Sequence, residues 1–355
     1  MSQPLKLSCE PVTLDLRTTF QIAHGSSDQR YNVIAHLFDP ESRLTGVGEG
    51  AAVSYYGESQ TGIIEYIQGV VGQVGDDPFL IEDILNCLPP GSQAARAAID
   101  IALHDLWGKL LSQPLYRLLG LNPIAAPQTS FTVAIDEPNN IAQRASASGM
   151  LVIKIKLGGP KDIECVAAIR NATNAKLTVD ANAGWSREQA QWIIPRLLDY
   201  GIELVEQPLP TGDIEGLREL KQFLKAQKID IPIFADENVK TAKDVVAHAG
   251  AVDGVVIKLM KSGGIREALR AVHTARALGM KTMIGCMVET SVGVSAAVHL
   301  SPLFDYADLD GPLLIRNDPF SGVQYEGSRL LIPERPGIGV LQRDEAPWGL
   351  PSTAP

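Results

Sequence analysis

Cysteine is scarce in this 355-residue chain: Cys9, Cys87, Cys165 and Cys286 are scattered and form no Cys-x-x-Cys pair. That spacing excludes the common zinc sites and a disulfide framework, so the thiols are expected to be reduced and mostly buried. Long apolar runs are also missing, none approaching the roughly 18 to 20 residues that cross a bilayer. The first residues, Met1-Ser2-Gln3-Pro4-Leu5-Lys6, lack the basic-then-apolar order of a secretory signal, and a cytoplasmic protein with no membrane partner is expected. Positive charge is in deficit: 31 lysines and arginines against 41 aspartates and glutamates give a net charge of -10, with no basic cluster to offset it. A phosphate backbone repels such a chain, so nucleic acid is not an expected partner. Neither GxGxxG nor GxxxxGK[ST] follows an early strand, which removes the main support for a nucleotide-binding fold.

What is present is a folding sequence, 45% hydrophobic and 20% charged, close to the globular average. Up to about residue 125 the pattern is mixed. Alternation over residues 31–38 predicts a strand, and residues 94–119 carry Ala98, Ile101, Ala102, Leu103, Leu106, Leu110 and Leu111 at helical spacing, with Gly120 as a left-handed cap. The linker at 122–127 breaks that pattern. Beyond it, β-branched runs alternate with helical stretches such as 187–200 and 265–278. The runs are 130–135, 151–157, 177–179, 203–205, 231–235, 254–259, 281–285 and 306–309. Eight strands at this spacing predict a closed α/β barrel rather than an open doubly wound sheet. Pro312, Pro319, Pro333 and Pro336 interrupt the eighth unit, and the C-terminal tail is expected to fold back onto the N-terminal region.

The mouth of such a barrel lies at the C-terminal ends of its strands, and charges gather there on consecutive strands. Lys154 and Lys156 are followed by Asp180, Glu206, Asp236 with Glu237, Lys258 and then Glu289, with steps of 22 to 31 residues from Lys156 onward, about one βα unit each. Three carboxylates on adjacent strands, Asp180, Glu206 and Asp236, repel one another unless a cation lies among them, and hard oxygen donors suit magnesium. Lysines on the second and sixth strands flank that triad, a two-base geometry. Lys154 and Lys156 share one strand face, where each is expected to depress the other's pKa toward the range a base needs. Lys261, three residues past Lys258, is left without a role, an ordinary loop charge being one reading of it.

The motifs Lys154-Ile155-Lys156, Val179-Asp180-Ala181-Asn182, Val205-Glu206-Gln207-Pro208, Ala235-Asp236-Glu237 and Ile257-Lys258-Leu259-Met260-Lys261-Ser262-Gly263-Gly264 resemble the enolase superfamily, within it the muconate lactonizing enzyme subgroup. The resemblance covers essentially the whole chain. It implies a modified (β/α)7β TIM-type barrel with an α+β capping domain, divided as 1–125 for the cap, 126–311 for the barrel and 312–355 returning to the cap. It implies one Mg²⁺ on Asp180, Glu206 and Asp236, with Lys156 and Lys258 as the acid/base pair. Sites of this superfamily pair a lysine or histidine base with one or two magnesium ions, and the reaction starts by removing a proton alpha to a carboxylate to give an enediolate. Asn182, Glu237 and Glu289 are expected to orient the metal site or Lys258.

The end of the eighth strand, Tyr306-Ala307-Asp308-Leu309-Asp310-Gly311-Pro312, sets two carboxylates on one face and resembles the dipeptide epimerases, where such a pair binds the substrate's α-ammonium. The implied activity is inversion of the C-terminal residue of an L,L-dipeptide, with Lys154 assisting Lys156 electrostatically and Thr132 against the peptide backbone. Loops near 20–25 and 53–58 close over the mouth in this family. Here they offer His24, at a position often arginine in members acting on Ala-Glu, and Tyr55 or Tyr56, so the dipeptide side chains stay open. Relatives of the same subgroup that act on substrates without a free ammonium, o-succinylbenzoate synthase, N-acylamino acid racemase and muconate cycloisomerase, form the alternative reading. A non-catalytic binding barrel leaves the buried charges without a reason, and a Schiff-base aldolase leaves the carboxylate triad unexplained. Assembly into a homo-oligomer is expected from the family's habit.

Overall fold

The computed structural model of the protein describes residues 3–22 and 25–343. An antiparallel sheet comes first, formed by β1 (Lys6–Ile22), β2 (Gly25–Asp39) and β3 (Leu44–Ala51) in that spatial order. Helices α1 (Gln60–Gly69), α2 (Ile81–Cys87) and α3 (Gln93–Leu110) pack on one face of it. The contact between β3 and α3 depends on glycine. A Cβ on Gly46, Gly48 or Gly50 would fall 2.0, 2.0 and 2.7 Å from the carbonyl oxygens of Ala102, Ala98 and Ala94. Two strand residues rise about 6.7 Å and four helix residues about 6 Å, so every second glycine meets every fourth alanine and the backbones touch along their length.

The helix expected over 94–119 is interrupted. α3 stops at Leu110, Ser112 takes a left-handed φ of 53°, and a separate turn, α4 (Leu115–Leu118), starts after Pro114. The proline ring restricts the residue before it and lacks an amide proton, so the apolar spacing continues where the helix does not. Gly120 has the expected left-handed φ, 70°.

Eight parallel strands follow in sequential order: β4 (Phe131–Val133), β5 (Val152–Lys156), β6 (Lys176–Asp180), β7 (Ile202–Glu206), β8 (Ile233–Ala235), β9 (Gly254–Lys258), β10 (Lys281–Gly285) and β11 (Tyr306–Asp308). All eight runs read from the sequence are strands. The ring closes through one parallel bridge, Thr129 to Ala307, and a bond from the Ser130 amide to the Ala307 carbonyl. Leu204, Phe234, Val256 and Met283 fill its interior. Outside it lie α5 (Pro138–Ala147), α6 (Asp162–Ala172), α7 (Arg187–Leu197), α8 (Ile214–Ala226), α9 (Ala242–His248), the single turn α10 (Leu259–Ser262), α11 (Ile265–Ala277) and α12 (Ser291–Leu300). Among the described residues no helix is long and apolar enough to cross a membrane.

Buried carboxylates from the first sheet and its helices clasp the barrel at helix N-termini, where unpaired amides and the helix dipole favour negative charge. Glu49 of β3 accepts from the Thr290 and Gly293 amides and the Thr290 hydroxyl at the start of α12. Asp100 of α3 accepts from the Ile265 and Arg266 amides at the start of α11. The chain after β11 runs back along the first sheet: Ile315 bridges Leu16, and Ile338 donates its amide to Asp105 at 2.9 Å.

Candidate active site

A cavity of about 130 Å³ opens at the C-terminal ends of the barrel strands. Its barrel wall carries Thr132, Lys156, Asp236, Glu237, Lys258 and Asp308 with Asp310; from the other side Phe20, Arg30, Val53, Tyr55 and Tyr56 close on it. Lys156 ends β5 and Lys258 ends β9, four strands apart in a ring of eight, so their ammonium groups enter from opposite walls. Asp180, Glu206 and Lys154 are fully or almost fully buried behind this surface.

The charges form one connected cluster. Lys156 Nζ donates to Asp180 Oδ2 at 2.6 Å. Lys154 Nζ lies 3.1 Å from Asp180 Oδ2, 2.8 Å from Glu206 Oε2 and 2.8 Å from Asp308 Oδ2. Lys258 Nζ donates to Asp236 Oδ2 at 2.8 Å, while Lys261 Nζ reaches the Asp236 carbonyl and its Oδ1. Asn182, at a left-handed φ of 44°, donates its amide to Asp180 at 2.8 Å and its side chain to Asp180 and Glu237, both at 3.3 Å. Gln207 accepts the backbone amides of Asp236 and Glu237 at 2.9 and 3.3 Å.

Burial pushes Asp180 and Asp236 up, but the facing ammonium groups, Lys156 with Lys154 and Lys258 with Lys261, outweigh it and hold both below the usual carboxylate range. Glu206 goes the other way: burial and then Asp180 raise it well above its ordinary value, with Lys154 the leading opposing charge. Glu237 is pushed up to about 7 by burial, Asp236 and Asp180. The expectation that Lys154 is depressed by its strand neighbour is corrected, and Lys258 likewise does not fall toward the range of a base. Burial lowers both, but Asp308, Glu206 and Asp180 around Lys154, and Asp236 beside Lys258, raise them well above the ordinary lysine value.

Among the described residues no three acidic, histidine or cysteine side chains already converge at coordination distance, because the acidic oxygens turn toward ammonium groups. The donor set nevertheless fits a hard divalent cation. Neither Glu206 oxygen accepts a directed hydrogen bond although both are fully buried, and Glu237 Oε2 and Asn182 Oδ1 are equally without one. Of these oxygens Lys154 approaches Glu206 Oε2, so the other buried ones are costly unless a further cation meets them.

At the barrel seam Asp308 is already engaged: its Oδ1 accepts the Ser130 hydroxyl at 2.5 Å and its Oδ2 meets Lys154. Asp310 accepts the Thr132 amide at 2.6 Å, and burial and then Asp308 push it up to about 7. Glu289 is buried and accepts the Met287 amide at 2.6 Å, with Lys258 among the charges that act on it. Tyr55 shares a hydrogen bond with Thr211 at 2.5 Å. His24 lies outside the described residues. Three contributors escaped the sequence reading. Lys261, left without a role, is folded back by the turn α10 onto Asp236; Gln207 carries the Asp236–Glu237 backbone; Ser130 holds Asp308. Only Lys261 left a signal, a second lysine one helical turn after a strand-end lysine.

Residues 7–120 match the mandelate racemase / muconate lactonizing enzyme N-terminal domain, and residues 138–346 the enolase C-terminal domain-like family. The L-Ala-D/L-Glu epimerase of Bacteroides thetaiotaomicron is 40% identical over 344 residues, 95% of this chain and 88% of its own. The hydrophobic dipeptide epimerase of Roseobacter litoralis is 43% identical over 346 residues, 94% of this chain and 98% of its own. Among solved structures, the dipeptide epimerase of Enterococcus faecalis complexed with Mg and L-Leu-L-Tyr superposes with a TM-score of 0.87 at 36% identity, covering 95% of this chain and 99% of that one. By these matches over nearly its full length, the chain belongs to the mandelate racemase / muconate lactonizing enzyme family of the enolase superfamily.

Proposed function

We propose that this chain is a magnesium-dependent dipeptide epimerase, inverting the α-carbon of the C-terminal residue of an L,L-dipeptide by proton transfer between Lys156 and Lys258. The observation that carries this reading is the entry of these two lysines from opposite walls into one cavity that also holds Asp308 and Asp310. The epimerase activities of the relatives support it. Asp180, Glu206 and Asp236 hold the ion, with Asn182, Glu237 and Glu289 as supporting groups. Magnesium, when bound, supplies positive charge against the substrate carboxylate, where a second negative charge develops as the α-proton leaves.

The chain's own groups do the rest. One lysine takes the α-proton on its side of the substrate, and the ammonium of the other delivers a proton to the opposite face, which inverts the centre. Asp308 and Asp310 receive the substrate's α-ammonium. Asp308 already shares Lys154, so Asp310, which pairs with no ammonium among the described residues, carries most of that contact. Thr132 and Tyr55 line the peptide. Two-faced proton traffic predicts the outcome of mixed L,L-dipeptides incubated in D₂O with Mg²⁺: a one-dalton gain at the C-terminal residue and appearance of the D-epimer. Lys156→Ala and Lys258→Ala lose epimerisation while remaining folded, any residual exchange being confined to one stereoisomer. Absence of exchange with every dipeptide, from folded and metal-loaded protein, overturns the reading and brings N-acylamino acids and succinylbenzoate precursors forward.

A further inference from the structure

Arg30 lies on β2 and reaches the cavity wall. Strand alternation sets its direction. Asn32, on the same face, is buried and donates to the Val288 carbonyl at 3.0 Å and to Glu49 at 2.8 Å, so that face looks toward the barrel. Gln29 and Tyr31 occupy the other face, where Gln29 donates to Asp15 and Tyr31 to Gln29.

The guanidinium of Arg30 lies over the Phe20 ring, 5.9 Å from its centroid, and donates to the adjacent Gln29 carbonyl at 3.0 Å. No carboxylate among the described residues pairs with it. The nearest acids along the hairpin are committed elsewhere, Asp15 to the Gln29 amide at 2.8 Å and Asp28 to the Thr19 hydroxyl at 2.6 Å. The other two cations on the cavity wall, Lys156 and Lys258, each face a carboxylate of the chain. Burial lowers the Arg30 pKa, a sign that it is drawn out of water, yet guanidinium stays charged at any ordinary pH. Its planar fork of five donors matches a carboxylate two bonds at a time. Met287, Val288 and Leu314 on the same cavity lining are apolar, and apolar surroundings strengthen an ion pair formed in the cavity.

We infer that Arg30 is a specificity-determining residue that pairs with a carboxylate on a side chain of the bound dipeptide, so that the preferred substrates carry glutamate or aspartate. This rests on the dipeptide epimerase reading. A hydrophobic dipeptide would leave the guanidinium desolvated and unpaired, a penalty that turns away the wrong substrate as effectively as the ion pair draws in the right one.

The test compares isosteric acid and amide pairs by deuterium exchange with Mg²⁺: L-Ala-L-Glu against L-Ala-L-Gln, and L-Glu-L-Ala against L-Gln-L-Ala, with L-Ala-L-Leu as a neutral reference. In one of the two pairs the acid is expected to exceed the amide at least about tenfold in kcat/KM, mostly through KM, and that pair identifies which residue carries the carboxylate. Arg30→Met brings the acid/amide ratio close to one, and Arg30→Lys restores part of it. A ratio near one in the unsubstituted protein, or one unmoved by Arg30→Met, overturns the assignment while exchange on L-Ala-L-Leu leaves the epimerase reading standing. No exchange on any of the five peptides overturns both.

Discussion

Asp236 is the most heavily shared side chain of the cluster, with one oxygen for Lys258 and the other for Lys261. Lys261 is 3% exposed, so its loss leaves a buried carboxylate with half its ionic support, a change that typically costs about 3 kcal/mol or more. Lys261→Met is therefore expected to lower the urea midpoint and the kcat of folded protein together, and Lys261→Arg to fail as a rescue because the guanidinium fork does not fit where one ammonium also meets the Val256 carbonyl. A midpoint unchanged by Lys261→Met contradicts this. The sequence shows why some residues of the site were legible and others not. Asp180, Glu206, Asp236, Lys156 and Lys258 recur once per βα unit, and that interval is visible in one dimension. Lys261 meets Asp236 and Arg30 reaches the cavity through the direction of their side chains, which a charge within a loop or a hairpin does not disclose.

At the scale of elements, attachment of the first sheet to the barrel runs through single carboxylates set at helix starts. Glu49 is the clearest case, completely buried and accepting from Thr290, Gly293 and Asn32. Glu49→Ala is expected to destabilise the protein by about 2–4 kcal/mol, because the amides at the start of α12 lose their acceptor in a dry interface. Glu49→Gln, which keeps an acceptor oxygen, costs less; equal losses for the two, measured by urea unfolding, would argue against capping as the cause. None of these attachments was evident from the sequence, since a lone Glu in Gly48-Glu49-Gly50 carries no periodic signal. The eight barrel strands were evident because each is a short β-branched run between helical stretches. The helix of 94–119 was over-extended because apolar spacing persists through Pro114, where the backbone cannot follow it.

For the whole molecule, stability depends on pH in part through His299 of α12, which is fully buried, stacks on Tyr116 and accepts that residue's amide at 3.2 Å. Burial pushes its pKa down to about 4 from an ordinary 6.5. Above pH 6.5 the ring is neutral in both folded and unfolded chains and the shift has no effect. Between 6.5 and 4 the unfolded chain takes up the proton more readily, so stability falls as pH falls, by up to about 3 kcal/mol at pH 4. Buried carboxylates with raised values, Glu49 and Asp105 among them, act in the opposite sense. The His299 share is therefore read as a difference, with the gap between unsubstituted protein and His299→Gln in urea midpoints changing between pH 7.5 and 5; a gap constant across that range would refute it.

The seam of the barrel also orders events in time. Ser130 and Thr132 meet Asp308 and Asp310 across 178 residues of chain, and the proposed ammonium subsite exists only where these two ends of the ring touch. A chain emerging from the ribosome has Asp180, Glu206, Asp236 and both lysines by residue 258, yet lacks the proposed ammonium subsite until β11 and the residues just beyond it arrive. The proposed acid/base and metal-holding groups are thus made before the proposed ammonium subsite, so a stalled or truncated product that ends before Asp308 lacks the pair proposed to receive the substrate's ammonium.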